Sequence, residues 1–165
     1  MATAFDSPTL LLGRTLGAFR VGMSDEAAYR AIGAAPAGSR WAPLVLPAGT
    51  RYARGNAFTA TFPHMRGGTL RLIVVDKTVR AVTTTSRYYR TRRGIGVGTQ
   101  VARGPCLPLA RGGCARRWRG FVEACRGTWV VGSPRAQTVI AVRAGRIVRV
   151  EVGDTAVLLP CRVSR

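Results

Sequence analysis

Residues 138–152 read TVIAVRAGRIVRVEV, and the order of these residues predicts a β-hairpin. Val148, Val150 and Val152 fall on one face of the second strand, while charged residues fall on the other. This two-residue period is the pattern of a half-buried strand. A short turn is expected at residues 144–145, so the chain should contain an antiparallel pair of strands here.

An earlier stretch of the chain resembles this hairpin. Residues 69–83 read TLRLIVVDKTVRAVT, and KTVR at 77–80 aligns with RIVR at 146–149. Internal self-similarity of this kind predicts two related halves. The alignment predicts that the two hairpins superpose, with Val79 and Val148 both buried on the side that faces the helices.

The clearest helix pattern lies in residues 20–33, RVGMSDEAAYRAIG. Ser24 is a favourable N-cap, and two acids follow it in the first turn, where the helix dipole favours negative charge. Gly33 supplies the left-handed residue that ends many helices. The turn at Gly22, just before this helix, is repeated in the second half at Gly98.

These patterns predict an α+β fold of two related halves, each a short helix followed by an antiparallel β-meander. An extended lead-in should cover residues 1–20, the first repeat residues 21–92, and the second repeat, with its disulfides, residues 93–165. The second helix is expected to be short or broken, because a glycine and two prolines interrupt residues 104–108.

The composition predicts a packed and strongly basic protein. Hydrophobic residues make up 47% of the 165-residue chain and the mean hydropathy is +0.08, values that disfavour disorder. The formal net charge is +19, from 26 basic and 7 acidic residues, and Lys77 is the only lysine. Part of the arginine excess is typical of a GC-rich genome. Two interpretations therefore stay open: a solvated basic surface, and a functional surface that binds anions.

Four cysteines, all in the second half, predict two disulfides and an oxidising compartment. One pairing joins Cys114 to Cys125 across an arginine-rich loop, and Cys106 to Cys161, which ties the C-terminus over the second half. The rival pairing joins Cys106 to Cys125 and Cys114 to Cys161. Four free thiols in a cytosolic protein are the remaining alternative. A zinc site is disfavoured, because no C-x-x-C occurs and His64 is the only histidine.

The start of the chain shows no secretory signal pattern, since residues 1–12 contain Asp6 and only a short apolar patch. No apolar run in the sequence approaches the ~20 residues that a membrane span needs. The cysteines nevertheless favour a secreted or extracytoplasmic protein, whose leader is not visible in this chain. We therefore expect an extracytoplasmic protein without a membrane span.

Short motifs in both halves resemble a known repeat module. They are VGMS at 21–24 with AIG at 31–33, GIGVGT at 94–99 and RAGRIV at 143–148. The order of glycine turn, short helix and antiparallel meander is similar to modules of the β-lactamase inhibitor protein family, of small outer-membrane assembly lipoproteins, and of secreted actinobacterial proteins that carry the unit in tandem. The resemblance covers most of residues 18–160, and the chain departs from it in its interrupted second helix and its scarcity of lysine and acids. It implies a non-enzymatic protein that binds other proteins or serves in envelope assembly.

Patterns of catalytic residues are weak in this sequence. Acyl transfer needs a nucleophile beside a base, and the only imidazole, His64, lies among apolar and aromatic neighbours. Asp25 and Glu26 are explained as residues of the first helical turn, and Glu151 and Asp154 as scattered acids near a strand end. We therefore expect no enzymatic activity, no cofactor and no metal site.

One stretch of the sequence combines arginines with aromatic residues. Residues 87–119 contain nine arginines and no acid. This mixture suits an interface with an acidic protein surface, where Arg, Tyr and Trp are enriched. It equally suits the clamping of nucleic acid or another polyanion. The candidate interaction residues are Tyr88, Tyr89, Arg92, Arg93, Arg116, Arg117, Trp118 and Arg119.

Two functional hypotheses follow from the sequence. The first is a non-enzymatic extracytoplasmic interaction module, in which a sheet face meets an acidic protein in an inhibitor-like arrangement. The second is a binder of nucleic acid or another polyanion through residues 87–119. In both cases Arg116, Arg117 and Arg119 should be largely exposed, because unpaired buried guanidinium groups are costly.

Overall fold

The protein is described by a computed structural model, which covers residues 7–11, 13–46, 48–101, 122–125, 128–133, 136–154 and 157. Of 122–125 and 128–133, the backbone alone is described. The elements, in chain order, are β1 (Leu10–Leu11), β2 (Thr15–Leu16), β3 (Phe19–Arg20), α1 (Asp25–Ile32), β4 (Arg40–Pro43), β5 (Ala57–Pro63), β6 (Thr69–Val75), β7 (Thr78–Thr84), β8 (Val122–Cys125), β9 (Thr128–Ser133), β10 (Ala136–Arg143) and β11 (Arg146–Gly153).

Eight of these strands form one antiparallel sheet in the order β4-β5-β6-β7-β11-β10-β9-β8. Strands β4 to β7 form one meander and β8 to β11 another, and the two meanders meet where β7 pairs with β11. The central strands are rich in β-branched residues, which fit a pleated and buried surface. The short strands β1, β2 and β3 form a separate three-stranded sheet.

The expected α+β fold of two halves, each with a helix and a meander, is wrong. The fold is mostly β, and α1 is the single helix within the described residues. The physical reason lies at strands β7 and β11, because each is the last strand of its meander and its outward-facing backbone N–H and C=O groups need hydrogen-bond partners. These two strands pair with each other, so both meanders belong to one continuous sheet. The division at 21–92 and 93–165 stays a prediction.

Helix α1 is placed as its sequence indicates. The Ala27 N–H donates to the Ser24 hydroxyl oxygen at 3.1 Å, which caps the first turn. Gly33 ends the helix with φ of 65°, and its N–H donates to the Tyr29 carbonyl at 3.0 Å. Ile32 is buried against the sheet. In the described part of the chain, no helix has the length and apolar character needed to cross a membrane.

Both expected hairpins form, but their predicted alignment is off by one residue. Val79 is fully buried, whereas Val148 is 39% exposed, so the prediction that both are buried is wrong. Each hairpin contains a β-bulge, and the extra residue is Arg80 in one and Val148 in the other. A bulge reverses the alternation of side chains between the two faces. Because the bulge residues Arg80 and Val148 correspond to each other, Ile147, which is 1% exposed, takes the position that corresponds to Val79.

A glycine turn is fastened to the inner strand of each meander. The Gly22 N–H donates to the Val79 carbonyl at 2.7 Å, and the Gly98 N–H donates to the Ile147 carbonyl at 2.6 Å. Both glycines have positive φ, 93° and 90°, a conformation that other residues adopt only with strain. The same hydrogen-bond pattern thus occurs at the two glycines that the sequence relates.

The large sheet is covered differently on its two faces. On the first face, α1 and the small sheet pack over the main core, which includes Phe19, Phe62, Leu72, Val79 and Ile147. On the opposite face, called here the second face, a smaller apolar cluster includes Leu46, Ile73, Ala81, Val139 and Val157. This smaller cluster lies beside a group of polar and charged residues at the centre of the sheet.

Candidate functional site

The structure places the two candidate tyrosines differently. Tyr89 is only 1% exposed and belongs to the main core, so its ring is not presented to a partner. Tyr88 is half-buried, and its ring centroid lies 5.0 Å from that of His64 and 4.8 Å from the Arg66 guanidinium carbon. His64 itself is buried, and its Nδ1 accepts a hydrogen bond from the Arg66 N–H at 3.1 Å. These rings pack on one another as part of the folded core.

Arg92 and Arg93 are exposed in a tight turn, closed by a hydrogen bond of 2.8 Å from the Gly94 N–H to the Thr91 carbonyl. The remaining candidates, Arg116, Arg117, Trp118 and Arg119, lie outside the described residues. The same holds for Cys106, Cys114 and Cys161, and for the side chain of Cys125, so the disulfide pairing stays a prediction.

The register of the sheet brings a different set of charged residues together on the second face. One row across β5, β6, β7, β11 and β10 consists of Thr61, Arg71, Thr83, Glu151 and Val139. Neighbouring residues of such a row have side chains on the same face, about 5 Å apart. The row therefore sets an arginine and a glutamate on either side of one threonine.

A second arginine completes this cluster from within β11. Arg149 lies two residues before Glu151 and so points to the same face, with its Nε 3.1 Å from Glu151 Oε1. The Arg71 Nη2 lies 4.0 Å from the same oxygen. The Glu151 side chain is 7% exposed, whereas those of Arg71 and Arg149 are 42% and 39% exposed. Two partly exposed positive charges thus surround one buried negative charge.

Burial is the main influence on the Glu151 carboxyl. Loss of hydration raises the pKa of Glu151, because it disfavours the charged form. The charges of Arg149 and Arg71 lower the pKa but do not cancel this effect of burial. A buried acid with a raised pKa beside specific charged partners is a feature of functional sites.

The raised pKa predicts how Glu151 affects stability as the pH changes. The folded protein binds this proton more tightly than the unfolded chain, so Glu151 lowers the free energy of unfolding as the pH rises from the ordinary glutamate range through the folded pKa. Urea denaturation of the wild type and of Glu151→Gln between pH 4 and pH 8 should show the difference growing in favour of Glu151→Gln. A difference that shrinks with rising pH would contradict the raised pKa.

A cavity of about 180 Å³ opens beside this cluster. One wall is apolar and is formed by Leu44, Leu46, Ile73 and Val157. The rest of the lining is polar and is formed by Thr59, Arg71, Arg149 and Glu151. An apolar pocket with a few convergent polar groups is the usual form of a binding site for a small group.

A second charged cluster lies at the end of β11, around Asp154. This buried carboxylate accepts hydrogen bonds from the Arg51 guanidinium and, at 3.0 Å, from the Tyr52 hydroxyl. The guanidinium carbons of Arg51 and Arg80 lie 4.7 Å and 4.9 Å from the centroid of the Tyr52 ring. The contacts to Arg51 and Tyr52 fasten the loop before β5 to the sheet, which is a structural role.

Sequence reasoning missed the site on the second face. Glu151 was interpreted as a scattered acid, and the alternation of β11 indicated only that Arg149 and Glu151 share a face. Nothing in the sequence places Arg71 beside them, because the two strands pair through β7 across a large separation in the chain.

The arrangement suits the binding of an anionic group. Two guanidinium groups present several donors to a site with one carboxylate, and the Arg71 Nε is buried without a hydrogen-bond acceptor among the described residues. Within these residues there is also no group of three His, Cys, Asp or Glu side chains that could hold a metal ion. Comparison with family models, curated proteins and solved structures finds no match to this chain, so its function is inferred from this geometry.

Proposed function

We propose that the protein is a non-enzymatic extracytoplasmic interaction module that binds an acidic segment of a partner protein through the second face of its sheet. The contact would centre on Arg71 and Arg149. The four cysteines support the extracytoplasmic location. The resemblance to inhibitor-like repeat modules supports a role in binding proteins.

The observation that carries the proposal is the charge imbalance around Glu151. Arg71 and Arg149 lie on the sheet with their side chains 42% and 39% exposed, and both are next to the buried carboxylate of Glu151. Arginine, together with tryptophan and tyrosine, is enriched among the residues that contribute most to protein interfaces. A carboxylate from a partner would neutralise the remaining positive charge and accept hydrogen bonds in bidentate geometry.

The proposal predicts that removing these two charges abolishes capture of the partner. The wild type, Arg71→Gln/Arg149→Gln, and the control Arg14→Gln/Arg30→Gln would be immobilised and exposed to the secreted fraction of the native organism. The control loses the same charge from the layer on the first face, where both arginines are exposed. We expect the affinity of the captured protein to fall at least about tenfold for the first variant only.

Two outcomes would contradict this assignment. Equal capture by both variants would show that the second face is not the binding surface. Polyanion binding is tested in parallel with a DNA duplex at increasing salt, because log K falls steeply with log[salt] when phosphates are contacted. Tight DNA binding that depends on Arg92 and Arg93, and not on Arg71 and Arg149, would favour the polyanion hypothesis.

A further inference from the structure

The cavity beside Glu151 has the properties of a site for one carboxylate with a short apolar tail. Its polar wall ends in two guanidinium groups, which bind carboxylates in a planar two-point geometry. Its apolar wall, formed by Leu44, Leu46, Ile73 and Val157, can cover a few methylene groups. Any anion could neutralise the two guanidinium groups, but the apolar wall disfavours a strongly hydrated anion such as phosphate.

The volume of the cavity limits the size of the group. A cavity of about 150 Å³ lined by apolar residues accepts benzene, which has six heavy atoms. At about 180 Å³, this cavity accommodates a group of similar or slightly larger size. A five-carbon monocarboxylate fits this range, and so does the side chain of a glutamate.

The entry of a carboxylate changes the surroundings of Glu151. The charged groups that face Glu151 are Arg71 from β6 and Arg149 from β11. Among the residues that the structure describes, the other packed elements contribute uncharged residues: Thr59 and Thr61 from β5, Thr83 from β7, Val139 from β10, and Leu44, Leu46 and Val157 from the covering segments. Two carboxylates would then share two guanidinium groups in a partly desolvated site, where like charges repel strongly.

We propose that this cavity binds a short-chain carboxylate against Arg71 and Arg149, and that Glu151 takes up one proton from the solvent when it does so. The protonated Glu151 then donates a hydrogen bond to the ligand instead of competing with it for the arginines. This inference rests on the proposed function, because it uses the same two arginines. The carboxylate can come from either of two sources: a free short-chain acid, or a glutamate side chain of the partner protein.

Calorimetric titration with pentanoate at pH 7 tests the site directly. We expect pentanoate to bind at least about tenfold more tightly than its neutral analogue pentanamide, because a guanidinium group binds a charged carboxylate more strongly than a neutral amide. Acetate should also bind at least about tenfold more weakly, since it lacks the methylene groups that the apolar wall covers. Repeating the titration in two buffers of different ionisation enthalpy should reveal a net uptake of protons when pentanoate binds.

Variants separate the roles of the three residues. Arg71→Gln/Arg149→Gln should lose pentanoate binding, and Arg14→Gln/Arg30→Gln should keep it. Glu151→Gln should abolish proton uptake, because the glutamine amide cannot take up a proton in this pH range. The melting temperature of each variant shows that it is folded. Equal binding of pentanoate and pentanamide, or undiminished binding to the double arginine variant, would overturn the proposal.

A blocked peptide distinguishes the two sources of the carboxylate. Acetyl-Ala-Glu-Ala-amide carries one carboxylate, on its side chain. Tighter binding of this peptide than of pentanoate points to a protein glutamate, and the reverse order points to a free acid. If neither binds while protein capture still depends on Arg71 and Arg149, the carboxylate site is wrong and the interaction module stands. If pentanoate or the peptide binds but no partner protein is captured, the carboxylate site stands and the interaction module is wrong.

Discussion

Replacing Tyr89 by alanine should destabilise the protein by about 3–5 kcal/mol, the usual cost of truncating a fully buried aromatic residue. The Tyr89 ring is 1% exposed and makes edge contacts with the rings of His64 and Tyr88, at centroid distances of 5.3 Å and 5.5 Å. This cost is a large part of the 5–15 kcal/mol that typically holds a domain together. Urea denaturation of the wild type and Tyr89→Ala measures it.

Tyr89→Phe is the matched control for the ring. The Tyr89 hydroxyl is buried without a hydrogen-bond partner among the described residues, so its removal should change stability by no more than about 1 kcal/mol and can increase it. Burial, and to a lesser extent the charge of Tyr88, raises the pKa of Tyr89. Stability should therefore fall as the pH rises above about 10, the ordinary tyrosine pKa, and less so in Tyr89→Phe. A loss of several kcal/mol in Tyr89→Phe would show that the hydroxyl has an essential partner.

Replacing Gly153 by alanine should destabilise the protein by about 3 kcal/mol, at the upper end of the range for over-packing. Gly153 pairs with Ala81 where β11 meets β7, at the joint between the two meanders. A Cβ on Gly153 would collide with the Arg80 carbonyl oxygen and lie 2.7 Å from the Ala81 Cα. These are backbone atoms of a central strand, which cannot move aside without breaking the pairing.

Gly94→Ala separates this collision from backbone strain. Gly94 has φ of 79°, and a Cβ there would meet nothing within 4 Å. Its replacement should destabilise the protein by only about 1–2 kcal/mol, which is the cost of placing an L-residue in the left-handed region. If Gly153→Ala were no more destabilising than Gly94→Ala, the close approach of β11 to β7 would not limit this position.

Local patterns in the sequence correctly predicted the elements that local physics controls. Helix α1 ends at Gly33 and is capped by Ser24, because capping depends on hydrogen bonds within a few residues. The hairpins β6–β7 and β10–β11 form where alternation and short turns placed them. The bulge that exposes Val148 was not predicted, because no residue type marks it unambiguously.

Local sequence patterns also failed to locate the candidate site. The sequence favoured residues 87–119 as the interaction surface, because arginine and aromatic residues are close together there in the chain. The side chain of Tyr89, however, is buried in the core. Arg71 and Glu151 lie eighty residues apart in sequence and come together only through their common neighbour β7.

By itself, the sequence of this protein determined one helix with its caps, two hairpins with their turns, and a strongly basic composition. The tertiary structure decided that β7 pairs with β11, and this pairing replaced the expected two halves with one eight-stranded sheet. It also decided that Arg71, Arg149 and Glu151 share one face beside a cavity. Hydrogen bonding and alternation within a strand are local, whereas the choice of a neighbouring strand depends on which edges remain unpaired once the whole chain has folded.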